Sequence, residues 1–225
     1  MTRVRSQMAG NSRASLAFYT FVRFLVVDVF ARLWNRVSVE GAEHVPAAGP
    51  FILAPVHRSN MDTPYAAITT RRRLRFMGKD SLWKTKAFGT LLSALGGFPV
   101  SRGTTDREAL LRCAAVLASG EPLVVFPEGE RKNGPVVQPL FEGAAYLAAR
   151  AGVPIVPVGI GGSERAMAKG ARFIRPSKVV VVVGEPLRVQ AEPGVRVPRP
   201  AIRELTHQLH EELQRLFDTA QIRAG

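Results

Sequence analysis

The sequence predicts an α/β fold, a single domain with a mostly parallel sheet flanked by helices and an N-terminal amphipathic membrane-interface helix. Three observations carry that expectation. Short apolar runs such as Phe51 to Val56, Leu123 to Phe126, Ile155 to Ile160 and the five consecutive valines within Lys178 to Gly184 have the length and β-branched content of strands buried on both faces. Segments of helical periodicity separate them, so that strand, helix, strand recurs, as the crossover connections of a parallel sheet require. Ahead of them all lies one long apolar helical pattern broken by charges.

Taken in order, Met1 to Arg13 is a polar, basic arm. In Leu16 to Val37 the residues Phe18, Phe21, Val22, Leu25, Val29, Phe30, Leu33 and Trp34 recur at helical spacing, while Arg23, Asp28, Arg32 and Arg36 interrupt them. A spanning helix needs about 20 mostly apolar residues and tolerates central charge poorly, so this pattern predicts a helix lying in the interface. Residues 1–37 therefore form an arm and membrane-associating helix, and 38–225 the α/β domain. A turn over Gly41 to Gly49 leads into the strand Phe51 to Val56 and a helix from about Ser59 to Thr70. A short strand near Leu74 to Gly78, a helix over Leu82 to Ala94 and a strand at Phe98 to Val100 follow. A helix over Asp106 to Ser119 precedes the strand Leu123 to Phe126, and a helix over Phe141 to Ala151 leads into Ile155 to Ile160. The prolines in Val153 to Gly159 predict an edge strand or a bulge there. After the valine strand, an Arg/Pro linker over Glu192 to Pro200 reaches a closing amphipathic helix over Ala201 to Ala220.

Composition bounds the function. The 225 residues are 46% hydrophobic and 22% charged, which suits one ordered core. A net charge of +13 calls for an anionic partner. The basic residues are not interleaved with the aromatics of a single-strand groove, and no helix-turn-helix or zinc-finger pattern occurs, so nucleic acid is not expected. Cys113 is the one cysteine and forms no intramolecular disulfide, which fits a reducing compartment. His207 and His210 stand beside Glu211 and Glu212 in a polar helical pattern without an obvious third ligand, so no metal is assigned.

The chemistry concentrates at Val56-His57-Arg58-Ser59-Asn60-Met61-Asp62. Five residues apart on one continuous helix, His57 and Asp62 would point about 140° away from each other. Across a strand-to-helix turn they can meet, with Ser59 or Asn60 capping the helix and Asp62 reaching back from its first turn. A carboxylate on one ring nitrogen fixes the tautomer and leaves the other nitrogen to take a proton from a hydroxyl. Three further stretches stand at predicted strand ends. Gly96-Gly97-Phe98-Pro99-Val100-Ser101-Arg102 offers a guanidinium for phosphate oxygens. Phe126-Pro127-Glu128-Gly129-Glu130-Arg131 ends a strand in a carboxylate and a glycine that lets backbone approach a ligand. The third is the Val153 to Gly159 strand.

In this order the four stretches resemble the motifs of the glycerophospholipid acyltransferase family, specifically the 1-acylglycerol-3-phosphate acyltransferases. The family patterns are His-x4-Asp, Gly-x-x-Phe-x-x-Arg, Phe-Pro-Glu-Gly-x-Arg and an apolar Val-Pro-x-x-Pro strand. The likeness spans Phe51 to Gly162, with Gly78-Lys79-Asp80-Ser81-Leu82 matching in part. It implies that His57 deprotonates the free hydroxyl of a lysophospholipid for attack on acyl-CoA or acyl carrier protein, with Asp62 orienting His57. The thioester is a co-substrate and no cofactor is implied. By the same resemblance Arg102, Glu128, Gly129 and Arg131 form the acceptor phosphate site, with Lys79 nearby. Because a carboxylate repels phosphate, Glu128 is expected to position Arg102, Arg131 or a glycerol hydroxyl. The partners implied are a lysophospholipid acceptor, an acyl thioester donor and an anionic membrane surface, at the cytoplasmic face of the cell membrane as a peripheral or monotopic protein. This sequence departs from the family in three places: Phe98 to Arg102 is one residue longer, Val56 stands where Asn is common, and Glu130 and Lys132 replace Thr and Ser. These departures leave glycerol 3-phosphate, other lysophospholipids and glycolipids as alternative acceptors. A thioesterase and a non-catalytic basic membrane binder are the competing function classes.

Overall fold

The computed structural model describes residues 13–100, 106–189 and 197–225, without the side chains at 26, 27, 79, 106 and 107. The chain opens with a helix, α1 (Arg13–Trp34), whose middle, Arg23–Phe30, winds as a π-helix. Then come β1 (Ser38–Glu40), a 3-10 turn (Ala42–His44), β2 (Ile52–Pro55), α2 (Asp62–Ile68) and β3 (Arg75–Lys79). A second 3-10 turn (Asp80–Trp83) precedes α3 (Lys86–Ala94) and β4 (Gly97–Val100), followed by α4 (Asp106–Ala118), β5 (Leu123–Val124) and α5 (Gly143–Ala151). The last elements are β6 (Ile155–Gly161), α6 (Ser163–Ala166), β7 (Val180–Val183) and α7 (Arg199–Ala224).

Seven strands form one sheet in the order β1-β7-β6-β2-β5-β3-β4. The five from β6 to β4 run parallel, β7 is antiparallel to β6, and β1 is parallel to β7. The predicted fold is therefore observed, down to strands whose residues are buried along their whole length, as in β2, β6 and β7. The path of the chain fixes the place for a ligand. From β2 the chain moves to β3 and β4 through α2 and α3, whereas from β4 it returns through α4 to β5 and through α5 to β6. Right-handed crossovers in opposite directions put their helices on opposite faces of the sheet. The direction of travel changes between the neighbours β2 and β5, so a crevice opens at their carboxyl ends.

Several elements differ from the sequence expectation. The proline-bearing strand β6 is not an edge: it lies inside the sheet, between β7 and β2. Proline is tolerated because of where its nitrogen points. Val56 N–H donates to Val158 O and Ile52 N–H to Pro154 O on the β2 side, while Pro157 O accepts Gly184 N–H on the β7 side. A strand residue turns N–H and C=O to the same side, so the N–H that Pro157 lacks would have faced the gap where β7 ends. The helix expected from Leu82 starts at Lys86 after the 3-10 turn, the strand expected to reach Phe126 stops at Val124, and β1 and α6 were not anticipated. The closing helix is longer than its periodic core, Arg199–Ala224. The arm Met1 to Arg13 lies outside the described residues except for Arg13, as does most of the linker Glu192 to Pro200.

The closing helix packs on β6 and β7, burying Leu205, Leu209, Leu213, Leu216 and Phe217. Two glycines of β6 permit the approach. A Cβ at Gly159 would collide with the backbone of Leu216, and one at Gly161 with the carbonyl of Ala220. Gly161→Val should therefore lower stability by about 1–3 kcal/mol or more, because overpacking forces the helix off the sheet. Urea unfolding of the variant, followed by far-UV circular dichroism, should show a lower midpoint, and an unchanged midpoint would contradict this packing.

Candidate active site

The strand β2 ends at Pro55, and the reason is in the ladder. Leu53 O accepts Val125 N–H as the last rung toward β5, and Pro55 has no N–H to offer at the next position. The two strands part there, and the chain turns through Val56 to Ser59 into α2. Val56 is fully buried, so it serves the core at the position where a polar neighbour of the histidine was noted as missing.

Across this turn His57 and Asp62 do meet. His57 Nδ1 lies 3.1 Å from Asp62 Oδ2. The same oxygen accepts the backbone N–H groups of Arg58 at 2.5 Å and Ser59 at 2.6 Å. A wholly buried carboxylate is costly unless hydrogen bonds favour its charged form, and three donors converge here. With Asp62 accepting at Nδ1, the proton is assigned to that nitrogen and the lone pair to Nε2. The ring stacks on Phe126, with centroids 3.9 Å apart, and its side chain is 17% exposed. Nε2 makes no hydrogen bond among the described residues. The expected helix cap is corrected: the residue before α2 is Met61, without a side-chain cap. Ser59 instead shapes the turn, its Oγ accepting Met61 N–H at 3.0 Å and donating to Met167 O at 2.7 Å.

Glu128 lies at the end of β5 and is also fully buried. Among the described residues it does not hold Arg131: its two oxygens accept Arg58 Nη1 at 2.7 and 2.9 Å, His57 N–H at 3.2 Å and Gln138 N–H at 3.1 Å. Arg58 is the residue that sequence reasoning missed. Besides Glu128 it donates to the carbonyls of His57, Gly134 and Val136 at 3.1, 3.2 and 3.1 Å, and its guanidinium lies 4.8 Å from the centre of the Phe217 ring on α7. The signal was present: Arg58 and Glu128 carry opposite charges just beyond two apolar strands, and β2 and β5 are neighbours in the sheet.

Gly129 takes a positive φ of 74°, and a Cβ there would meet the Phe141 ring, so the turn needs glycine. Beyond it Lys132 N–H donates to His57 O at 2.9 Å, which ties the strand-end loop to the histidine. Arg131 is half-buried, and its guanidinium has no hydrogen bond or ion pair among the described residues. Lys79 ends β3 beside Val100 at the end of β4, so its backbone stands on the same edge of the sheet, though its side chain lies outside the described residues. Arg102 lies outside them altogether. Cys113 is buried, its Sγ 3.2 Å from Met77 Sδ, and burial pushes its thiol up to about 12, so it is inert at neutral pH.

An imidazole with one nitrogen on a carboxylate and the other without a hydrogen bond among the described residues, at a switch point of an α/β sheet, is able to take a proton from a hydroxyl. The chain belongs to the acyltransferase family: the family model matches residues 36–161, from just before β1 to the end of β6. It is 25% identical over 174 residues to a chloroplastic 1-acyl-sn-glycerol-3-phosphate acyltransferase of Brassica napus, covering 76% of this chain and 50% of that one. It is 31% identical over 144 residues to the 1-acyl-sn-glycerol-3-phosphate acyltransferase of Streptococcus pneumoniae, covering 63% and 53%. The chain thus spans about half the length of these curated relatives. Among solved structures, the 1-acyl-sn-glycerophosphate acyltransferase PlsC of Thermotoga maritima shares the fold, with a TM-score of 0.65 at 24% identity over 90% of this chain and 87% of that one.

Breaking a buried ion pair from one side leaves the other charge stranded, which costs about 3–5 kcal/mol. Arg58→Met should therefore destabilise the protein by about that much. Adding Glu128→Gln to Arg58→Met should recover part of the loss, giving a coupling clearly different from zero in a double-mutant cycle of urea-unfolding energies. Additive losses would mean that the two side chains do not act as a pair.

Proposed function

We propose that this protein transfers a fatty acyl group from a thioester of coenzyme A or acyl carrier protein to the free hydroxyl of 1-acylglycerol 3-phosphate, giving phosphatidic acid. The observation that carries this reading is the geometry of His57, with Asp62 on Nδ1 and Nε2 bare, in a chain of the acyltransferase family. The names of the curated relatives supply the acceptor. Nε2 takes the hydroxyl proton as the oxygen attacks the thioester carbonyl. The tetrahedral intermediate collapses by breaking the carbon–sulfur bond, and the imidazolium returns its proton to the departing thiolate. Asp62 holds the ring and stabilises the imidazolium while it exists. The acceptor oxygen is itself the nucleophile, so no acyl-enzyme is formed. Arg131 binds the acceptor phosphate, and Arg102 and Lys79 belong to the same site by the family motifs.

The reaction takes place at a membrane surface, and the polarity of α1 supports this. The face of α1 turned to the domain carries Tyr19 and an ion pair between Arg23 and Asp28, Nη1 to Oδ2 at 2.9 Å, beside a cavity of 620 Å³ that reaches Ile68 and Arg71 on the far side. Leu16, Phe18, Phe21, Leu25 and Leu33 on the same helix are all exposed. That much apolar surface on one helix marks an interaction face rather than a helix bathed in water. Among the described residues this is the helix long and apolar enough to cross a bilayer. Its charged positions favour the interface, as a peripheral or monotopic anchor on the cytoplasmic face.

Two measurements test the chemistry. His57→Ala should lower kcat by about 10²- to 10⁴-fold with folding retained. Near wild-type turnover at pH 7 would remove the general base from the mechanism. Arg131→Ala, and Arg102→Ala likewise, should cut kcat/KM for lysophosphatidic acid by about 10- to 150-fold while leaving slow transfer to a monoacylglycerol nearly unchanged. If the ratio of the two efficiencies stays at the wild-type value, these arginines do not read the phosphate and another acceptor headgroup must be sought.

A further inference from the structure

Between α6 and β7 runs the segment Met167-Ala-Lys-Gly-Ala-Arg-Phe-Ile-Arg-Pro-Ser-Lys178, which has four basic residues and no acidic one. Lys169, Arg172, Arg175 and Lys178 are all exposed, and among them Phe173 is 80% exposed. An aromatic ring left almost wholly in water, ringed by cations, is not a packing feature. The segment is nonetheless fixed in place. Arg175 N–H donates to Ala166 O at 2.8 Å and Val179 N–H to Asn35 O at 3.1 Å.

Its two sets of anchors join the two parts of the molecule already described. At one end Ser59 Oγ donates to Met167 O at 2.7 Å, and Lys169 Nζ lies 3.4 Å from Arg131 O, so the segment borders the His57 turn and the Arg131 loop. At the other end Trp34 Nε1 donates to Ile174 O at 3.2 Å and Asn35 Nδ2 to Arg175 O at 2.9 Å, so it meets the last turn of α1. Leu33 and Trp34 at the end of α1 and Phe173 on the segment tied to it are all exposed.

We propose that the 167–178 segment is a second membrane-docking element, in which Phe173 enters the interface and Lys169, Arg172, Arg175 and Lys178 engage anionic headgroups, seating the mouth of the active site on the bilayer. This rests on the reading that the chain works at a membrane surface. Two features select an anionic bilayer as the occupant: the charge is of one sign, and the exposed aromatic stands on a segment hydrogen-bonded to the end of α1, which is itself exposed and apolar. Amphipathic contacts of this kind draw on buried apolar area and on attraction to anionic lipid together.

The test uses the full chain. Cys113 is buried and is the single cysteine, so a Phe173→Cys variant accepts one environment-sensitive fluorophore at the loop. On vesicles of phosphatidylcholine with phosphatidylglycerol its emission should shift to the blue, and an Arg172→Gln/Arg175→Gln variant of the unlabelled protein should partition onto those vesicles about thirtyfold more weakly, about fivefold per arginine. Turnover of that variant should fall with an acceptor embedded in vesicles and remain at the wild-type level with a short-chain, water-soluble acceptor. Labelled protein that sediments with vesicles while its emission stays unmoved would overturn the role of the loop and leave the membrane reading intact. Protein that does not sediment with vesicles at all would overturn both. A variant that keeps vesicle binding but loses turnover only with acyl carrier protein as donor would overturn the proposal in favour of an acidic protein partner.

Discussion

The arrangement of the site depends on one buried ion pair. Two charges removed from water cost several kcal/mol each, and their attraction offsets this only when every remaining donor and acceptor is satisfied. That condition is met here. Arg58 spends its donors on Glu128 and three carbonyls, and Glu128 completes its set with the N–H groups of His57 and Gln138. The satisfaction matters more than the attraction, because the groups satisfied are backbone groups of two loops that have no ladder of their own. Residues 125–142 contain neither helix nor strand, yet they carry Gly129 and Arg131. Arg58 fastens that loop at Gly134 and Val136, Glu128 fastens it at Gln138, and Phe217 closes the pair from the α7 side. The loop is held by a charge from the His57 turn and by one of its own.

Parallel strands explain why this happens at one spot. All five parallel strands deliver their carboxyl ends to one edge, and β2 and β5 are neighbours there whose following helices leave to opposite faces. Pro55 sharpens that gap by ending the hydrogen bonding between the two strands one residue pair early. Pro157 achieves something similar on the other side of β2, since its missing N–H falls where β7 gives way to Gly184. Both prolines lie in strands of a sheet interior, and each turns its missing donor toward a place where the ladder already ends.

Much of this was legible in the chain. The alternation of apolar runs with helical periods specifies the parallel sheet, and the five-residue spacing of His57 and Asp62 is intelligible only across a strand-to-helix turn, which is what forms. The failures have physical causes. Proline argues for an edge strand on average, but the direction of its nitrogen, not its presence, decides, and direction depends on neighbours that a single strand does not reveal. Arg58 beside His57 resembles a surface arginine, because burial of a guanidinium requires a partner 70 residues away. The periodicity of the N-terminal helix was visible, but its sense was not: a stripe of apolar residues looks the same whether it faces a core or a bilayer. In the structure the Arg23–Asp28 pair lies on the inner side of that helix.

Asp62 shows why orientation and folding cannot be separated at this centre. One of its oxygens takes all three donors, from His57, Arg58 and Ser59, while Oδ1 is buried without a hydrogen bond. Two of the donors are backbone N–H groups of the turn, so the carboxylate builds the turn that presents the histidine as well as holding the ring. Its charge also acts on Tyr65, one helical turn further along α2, where burial and the nearby carboxylate push the phenol above its ordinary value and keep it neutral. An amide in place of the carboxylate would keep one acceptor oxygen but surrender the charge that strengthens those three bonds. The turn would loosen as the imidazolium lost its counter-charge, so orientation and electrostatics would fail together. The histidine ring is different: Phe126 and Asp62 hold it in place, while its Nε2 supports no hydrogen bond among the described residues.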